Sequence, residues 1–475
     1  MSSTVRQQAR ATGSSRDQRK VLAVLFIGVL MGALDIAIVG PALQSIRTSF
    51  GAGERDVSWI FSLYVLFNLV GTPLMAKLSD RYGRRVVYVS AVAVFAVGSL
   101  LVAAAPDLRT FLAGRSIQGF GAGGIFPVAT AVIGDIFPPE RRGRALGLIG
   151  AVFGIAFMLG PLFGGLLLPL GWHWLFLINL PVAALVIALA LRRLPGVRRS
   201  ERLPFDWAGM AALAGHLVLL AHGINQIDTA HFAESILSAA VWPSLAAAFL
   251  LGLAYIAIER RASDPILRLR LYTSRQTIIA GVLATGAGVG QLGVVYLPSM
   301  AVAAFGVSPA AASFLQLPLV IAVSVGSPFA GRMLDRYGSR IVVVSGALLF
   351  LGGMLMHGTT VSGLPSFMLA SVLAGLGLTA LVGAPVRYIM LNEAPPAERA
   401  AAQGLITLNT SIGQLVSSAL LGAFVASRGG GVPGYRSAFL AVAAAGMVLS
   451  VLATGLKNRS EERATVNAAG GRFPH

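Results

Sequence analysis

LSDRYGRR at residues 78–85 returns as MLDRYGSR at residues 333–340, an offset of 255 residues in a chain of 475. In each copy an acid and an arginine precede a tyrosine, then a glycine able to make a tight turn, then further basic residues. Long apolar runs flank both copies, so each reads as a short charged turn between two apolar helices. A second echo lies at nearly the same offset, where PPERRGRALGL at 138–148 returns as PPAERAAAQGL at 395–405. Two related halves in an apolar chain point to a duplicated membrane bundle, an arrangement suited to opening a central site to either side.

The surrounding composition agrees. Hydrophobic residues make up 56% of the chain and charged residues 12%, and the mean hydropathy of +0.77 excludes a water-soluble enzyme. Apolar runs occur near 21–43, 58–76, 87–105, 110–134, 145–168, 173–191, 207–225, 236–258, 276–301, 308–331, 341–357, 364–386, 402–426 and 437–456. At about 20 residues per crossing, fourteen crossings use roughly 280 residues and leave only short loops. The expected architecture is an all-α membrane protein with 14 transmembrane helices. Its parts are a cytoplasmic tail at 1–20, a six-helix bundle at 21–191, a basic linker with two extra helices at 192–275, a second six-helix bundle at 276–456, and a cytoplasmic tail at 457–475. An even number of inserted helices keeps both DRYG turns on the same side.

Charge tests the topology. Lys and Arg number 37 against 19 Asp and Glu, a net charge of +18. In a soluble protein this would suggest a nucleic-acid partner; here it follows the preference of basic residues for cytoplasmic loops, and no nucleic acid is expected. With both termini inside, 30 of the 37 basic residues fall on the cytoplasmic side, and only Arg47, Arg55, Arg109, Arg428 and Arg436 fall in outer loops. Arg115 and Arg387 lie within apolar runs. A cytoplasmic (inner) membrane location follows. There is no cysteine, so disulfides and thiolate metal sites are excluded. His216 and His222 are spaced to face different sides of a helix, and no metal or cofactor is expected. The phosphate-binding loop GxxxxGK[ST] is missing, so energy has to come from a gradient.

Asp35, in GALDIAIVGPALQSI at 32–46, is the one acid deep within an apolar run. Ionising it there costs several kcal/mol unless it is paired or hydrated, which makes it the proton-coupling candidate. It could instead be an acid facing a water-filled cavity with no coupling role. Arg115, in GRSIQGFGAGG at 114–124, is the main intramembrane cation. Counting from the outer ends of their runs, Asp35 lies about 12 Å deep and Arg115 about 7 to 8 Å deep. Neighbouring helices would let them pair; otherwise Arg115 snorkels to the interface. Gly119, Gly121 and Gly124 spell GxGxxG without the strand a dinucleotide site needs, and read as small residues for close helix packing.

On these residues the chain resembles the major facilitator superfamily. Its signature loop GxLaDrxGrr matches Leu78, Asp80, Arg81, Gly83, Arg84 and Arg85, with Ala76 in place of the leading glycine, and partly recurs as Gly331, Asp335, Arg336, Gly338 and Arg340. The resemblance implies a cytoplasmic latch between the halves, carried by Asp80, Arg81, Gly83, Arg84 and Arg85 and by Asp335, Arg336 and Gly338. GIAFMLGPLFGG at 154–165 is similar to the GPxxGG antiporter motif of the drug:proton branch, with Gly154, Gly160, Pro161, Gly164 and Gly165. These residues also suit a packing groove. The LDxxIV start at Leu34–Val39 and the count of crossings are similar to the group with fourteen transmembrane helices, although Ala37 and Gly40 stand where that group usually has Thr and Asn.

What the resemblance implies is multidrug or antibiotic efflux by alternating access. A small amphipathic or hydrophobic organic substrate is exchanged for protons, with the bilayer as partner and a periplasmic adaptor left open. The alternatives are a proton symporter for a small metabolite and a non-transporting receptor or scaffold. Asn68, Gln118, Gln291, Gln316, Asn409 and Gln414 are the remaining polar side chains at depth, candidates for a substrate cavity or for bonds between helices.

Overall fold

In hydrocarbon every backbone N–H and C=O needs a partner within the segment, so apolar runs of this length are forced into helices. The computed structural model describes residues 15–137, 139–194, 206–262, 271–272, 274–360, 363–394 and 399–468, and its regular elements are all helical. Residues 1–14, 195–205, 263–270 and 469–475, which include parts of the expected tails and basic linker, lie outside the described residues.

Two compact units are present, Met1–Gly51 with Leu63–Phe205 and Ala52–Ser62 with Asp206–His475. The first is built from α1 (Ser15–Phe50), most of α2 (Glu54–Tyr82), α3 (Arg84–Ala103), α4 (Leu108–Ile136), α5 (Pro139–Leu167) and α6 (His173–Arg193). The second holds α7 (Trp207–Asn225), α8 (Trp242–Glu259), α9 (Arg275–Phe305), α10 (Pro309–Tyr337), α11 (Ser339–Thr359), α12 (Leu364–Glu393), α13 (Arg399–Ser427), α14 (Gly431–Ala453) and the short polar α15 (Arg459–Ala468).

Among the described residues, thirteen helices are long and apolar enough to cross a membrane, one fewer than the sequence count. The difference falls at α5, where the apolar stretch among the described residues is Met158–Leu170. The chain is a multi-pass membrane protein.

The repeat read from the DRYG turns is visible in the packing. Within the first unit α1 packs on α5 and α6, and α3 on α4 and α6; within the second, α9 packs on α13 and α14, and α11 on α12 and α14. Gly83 and Gly338 take φ of +94° and +82°, a conformation other residues rarely adopt, which is why each DRYG turn carries glycine at that place.

The extra helices α7 and α8 pair with each other, and α7 also packs on α13. This contact places them in the second unit, together with residues 52–62, which include the start of α2. The Asn225 side chain at the end of α7 donates to Ser58 Oγ at 2.6 Å and to the Arg55 carbonyl at 3.3 Å, and Arg55 Nη2 donates to the Ile227 carbonyl at 3.3 Å. Gly422 of α13 leaves room for this junction, since a Cβ there would sit 2.7 Å from Ser58 Cβ and 3.2 Å from Asn225 Nδ2. Gly422→Val should therefore break the Asn225 bond and cost about 1–3 kcal/mol of packing. The purified variant is expected to unfold several degrees lower; an unchanged midpoint would reject the tight junction.

Candidate functional site

Asp35 lies midway along α1, and four other helices of the first unit converge on it. Its Oδ2 accepts from Arg115 Nη1 at 2.6 Å. Its Oδ1 accepts from Gln118 Nε2 at 2.6 Å and from Asn179 Nδ2 at 3.0 Å. Arg115 Nη1 also donates to Gln118 Oε1 at 2.5 Å. The two amides meet again at Ser99 Oγ of α3, at 2.8 Å from Gln118 and 3.3 Å from Asn179. Tyr64 of α2 places its ring 4.3 Å beneath the Arg115 guanidinium, a favourable cation–π contact.

Local sequence explains the convergence. Arg115 and Gln118 are three apart, so they share a face of α4. Gly119 and Gly121 let that helix close in on its neighbours, because a Cβ at Gly119 would collide with the Tyr64 carbonyl and one at Gly121 with the Phe95 backbone. The apparent dinucleotide fingerprint is thus a packing surface. On the other side, a Cβ at Gly160 of α5 would meet Ala37 Cβ at 2.6 Å and its carbonyl oxygen at 2.9 Å, so α5 lies against α1 two residues beyond Asp35. The helix α5 continues through Pro161, and Gly160, Pro161, Gly164 and Gly165 are all buried.

Asp35, Arg115, Gln118 and Ser99 are wholly buried, with 0% of each exposed. Arg115 does not snorkel. Phe111 sits one turn before it on α4 and packs edge-on against Trp172 and Phe176, while Phe50 closes the same cluster at 5.8 Å from Phe111. This aromatic cluster lies between the guanidinium and the helix ends. Enclosure is also a departure from a side chain bathed in cavity water: in this state no surface of Asp35 is exposed to water, and a proton can reach it only when the network opens.

Electrostatics define what the network can do. Carboxylate and guanidinium compensate each other, and the amides satisfy the remaining carboxylate lone pairs, which is the condition for keeping such a pair out of water. Adding one proton to Asp35 removes the compensation and leaves Arg115 needing another acceptor. The cluster therefore has two electrostatic states with different preferred contacts.

The first DRYG turn is organised by Arg84. It bonds Asp80 at 2.7 Å, Ser79 Oγ at 2.6 Å and Asp135 at the end of α4 at 2.9 Å. Arg85 donates to the Leu194 carbonyl at 2.5 Å, and Arg81 lies over the Tyr82 ring. In the second unit Asp335 and Arg336 occupy the last turns of α10, with Arg336 over the Tyr337 ring. There the turn is held by Glu462 of α15, which accepts from the Ser339 N–H and hydroxyl. Burial pushes the Glu462 carboxyl above its ordinary range. All of these contacts stay within one unit.

The polar residues expected around a cavity divide differently. Gln118 is wholly buried and bonded into the Asp35 network. Gln316 is buried and donates to the Val294 carbonyl at 2.9 Å. Pro298, four residues on, has no N–H to offer that carbonyl, so the amide supplies the missing donor. Gln414 donates to Gln291 at 2.6 Å, joining α13 to α9, and Asn409 bonds Tyr272 and the Leu405 carbonyl. Both glutamines keep partial exposure, as does Asn68 on α2.

Sequence reasoning missed Asn179, Ser99, Tyr64 and Asp135. Asn179 carried a signal, being an amide inside the 173–191 apolar run; Ser99 and Tyr64 are ordinary within membrane helices and carried none.

Comparison with known proteins follows from this geometry. The family model described as Major Facilitator Superfamily matches residues 25–296 and 277–474. An uncharacterised MFS-type transporter of Bacillus subtilis (strain 168), YfiU, is 33% identical over 426 residues, covering 88% of this chain and 82% of the relative. Multidrug resistance protein 3 of the same organism is 30% identical over 347 residues, 73% of this chain and 67% of the relative. Among solved structures, a bacterial homologue of the human lysosomal transporter Spinster, inward-facing and unoccupied, superposes with a TM-score of 0.67 at 16% identity, covering 96% of this chain and 99% of that one. With the repeated bundle, the paired DRYG turns and a family match along almost the whole chain, the protein belongs to the Major Facilitator Superfamily of membrane transporters.

Proposed function

We propose that this transporter exports small amphipathic or hydrophobic organic compounds in exchange for protons, as a member of the drug:proton antiporter group. It works by alternating access of the bundles at 21–191 and 276–456. The observation that carries the reading is the buried Asp35–Arg115 ion pair, two residues along α1 from Ala37, against which Gly160 of the glycine-rich α5 packs. The multidrug-resistance name of a relative at 30% identity supports efflux.

In this reading α5 is counted as a crossing, which gives fourteen with the thirteen long apolar helices, and both termini are cytoplasmic in the inner membrane. Asp35 is the proton carrier and Arg115 its counter-charge. A proton from the outer side neutralises Asp35 when the network opens, Arg115 is released, and the change favours the outward-to-inward transition. Asp80, Arg81, Gly83, Arg84 and Arg85, with Asp335, Arg336 and Gly338, form the cytoplasmic latch. Gly160, with Pro161, Gly164 and Gly165 beside it, belongs to the antiporter helix α5, whose contact with α1 at Ala37 would couple the two; the surroundings of Gly154 lie outside the described residues. Asn68, Gln291, Asn409 and Gln414, each with polar atoms at depth, are the substrate-facing candidates that remain.

The test is flux in proteoliposomes holding a pH-sensitive dye. Dyes, quaternary ammonium compounds and antibiotics are added in turn, and at least one should move protons out of an acid-loaded lumen as it is taken up. Substrate movement with no proton movement would reject the exchange.

A further inference from the structure

The turn between α13 and α14 reads SRGGGVPGYRSAF at 427–439, and it carries two of the five basic residues assigned to outer loops. Topology therefore does not account for this pair in the way it accounts for the cytoplasmic arginines. In the second unit the turn and the start of α14 enclose a surface cavity of about 370 Å³ lined by Arg428, Val432, Pro433, Arg436, Ser437 and Leu440. Arg428 is exposed and Arg436 half-buried.

The lining of the cavity is mixed in kind. Arg428 and Arg436 contribute two guanidinium groups. Leu440, one turn beyond Arg436, begins a row of exposed apolar residues on α14 that continues through Met447, Val448 and Val451, at the spacing of one helix face. The opposite face, with Phe439, Val442, Ala443, Gly446 and Leu449, is buried inside the unit. A membrane-spanning helix with such an outward row presents it to acyl chains. The cavity thus lies where an apolar, lipid-facing surface meets a cationic rim. Glu54 lies close to Gly430 on the same turn and offsets part of the charge, leaving one net positive charge from the three groups.

We propose that this cavity binds an anionic phospholipid, its phosphate between Arg428 and Arg436 and its acyl chains along Leu440 and the row below it. A soluble anion would use the arginines and gain nothing from Leu440; a zwitterionic lipid would use the row and gain less from the arginines. The combination of both surfaces selects a lipid with net negative charge.

The experiment is native mass spectrometry of the detergent-purified full chain titrated with phosphatidylglycerol or phosphatidylcholine, with inorganic phosphate and glycerol phosphate as headgroup-only probes. Phosphatidylglycerol should be retained in preference to phosphatidylcholine. A basic residue at a lipid surface is worth roughly a fivefold change in binding, so Arg428→Gln with Arg436→Gln should weaken phosphatidylglycerol retention by about tenfold or more. Arg109→Gln, in another outer loop, should leave it unchanged, and Arg428→Lys with Arg436→Lys should keep most of it. Leu440→Gln should weaken the lipid and leave the headgroup probes unaffected. Unfolding midpoints in detergent alone identify any variant that has not folded, and the lysine pair then provides the comparison. Equal retention by the glutamine pair and the unsubstituted protein, or inorganic phosphate competing as well as the lipid, would overturn the proposal.

Discussion

Asp35→Asn should abolish proton-driven export, lowering substrate efflux by at least about a hundredfold, because an amide cannot take up and release the proton at any working pH. The same change should also destabilise the protein. Arg115 is wholly buried, and removing the carboxylate of Asp35 that it pairs with takes away the compensating charge in a low-dielectric interior, a loss of about 3–5 kcal/mol for a buried pair. A sequence-level view would expect the variant to fold normally, since Asn is nearly isosteric with Asp; the enclosed guanidinium is what changes that expectation. Arg115→Gln combined with Asp35→Asn separates the effects. Removing both charges should restore much of the lost stability and none of the coupled transport. The measurements are unfolding midpoints in detergent and substrate-dependent proton flux in proteoliposomes. Normal coupled transport by folded Asp35→Asn would reject the proton role. A double variant that recovered transport along with stability would reduce the pair to a structural brace.

The second large effect belongs to Gly160→Val. The space at this position is closed by Ala37, whose Cβ, carbonyl carbon and carbonyl oxygen would lie 2.6 to 2.9 Å from the first added carbon. Two of these three are backbone atoms, so no rotamer change relieves the clash and α5 has to separate from α1. Over-packing of this kind costs about 1–3 kcal/mol, and valine adds methyl groups beyond the first carbon. Separation would also displace the α1 segment that begins two residues before Ala37 with Asp35. Transport should fall by an order of magnitude or more even in protein that still inserts. Gly160→Ala should be milder, and Ala37→Gly should partly rescue it by removing the Cβ that is struck first. Equal transport by Gly160→Val and the unsubstituted chain, at equal protein level, would show that α5 does not need to lie this close.

Glycine at 160 illustrates how much of the site could be read in advance. The string GPLFGG pointed to a special helix, and small residues in an apolar run indicate close packing wherever they occur. Which helix they pack against was not readable. The same holds for Asp35 and Arg115: their depths, counted along each helix, were compatible with a pair, and the 2.6 Å contact depends on α1 and α4 being neighbours with the right faces turned inward. Gln118 shows the limit. At membrane depth an amide suits a cavity wall and an ion-pair network equally, and only the rotation of α4 sends it to Asp35 and Ser99. Gln316 depends on a vacancy made by Pro298 in a different stretch of chain, visible only once α9 and the start of α10 are side by side.

The residues alone therefore determined a helical, membrane-spanning, internally repeated chain with glycine-centred charged turns, because hydrocarbon length, backbone hydrogen bonding and the φ requirement of a tight turn all act within a few neighbouring residues. Tertiary structure decided which polar groups meet: the Asp35, Arg115, Gln118, Asn179 and Ser99 network, the Arg84 cluster with Asp135, and the docking of α7 on α13. In lipid, apolar helix faces gain little by choosing one neighbour over another, so hydropathy leaves rotation and pairing open. Close packing at small residues and the need to satisfy each buried polar group then fix both.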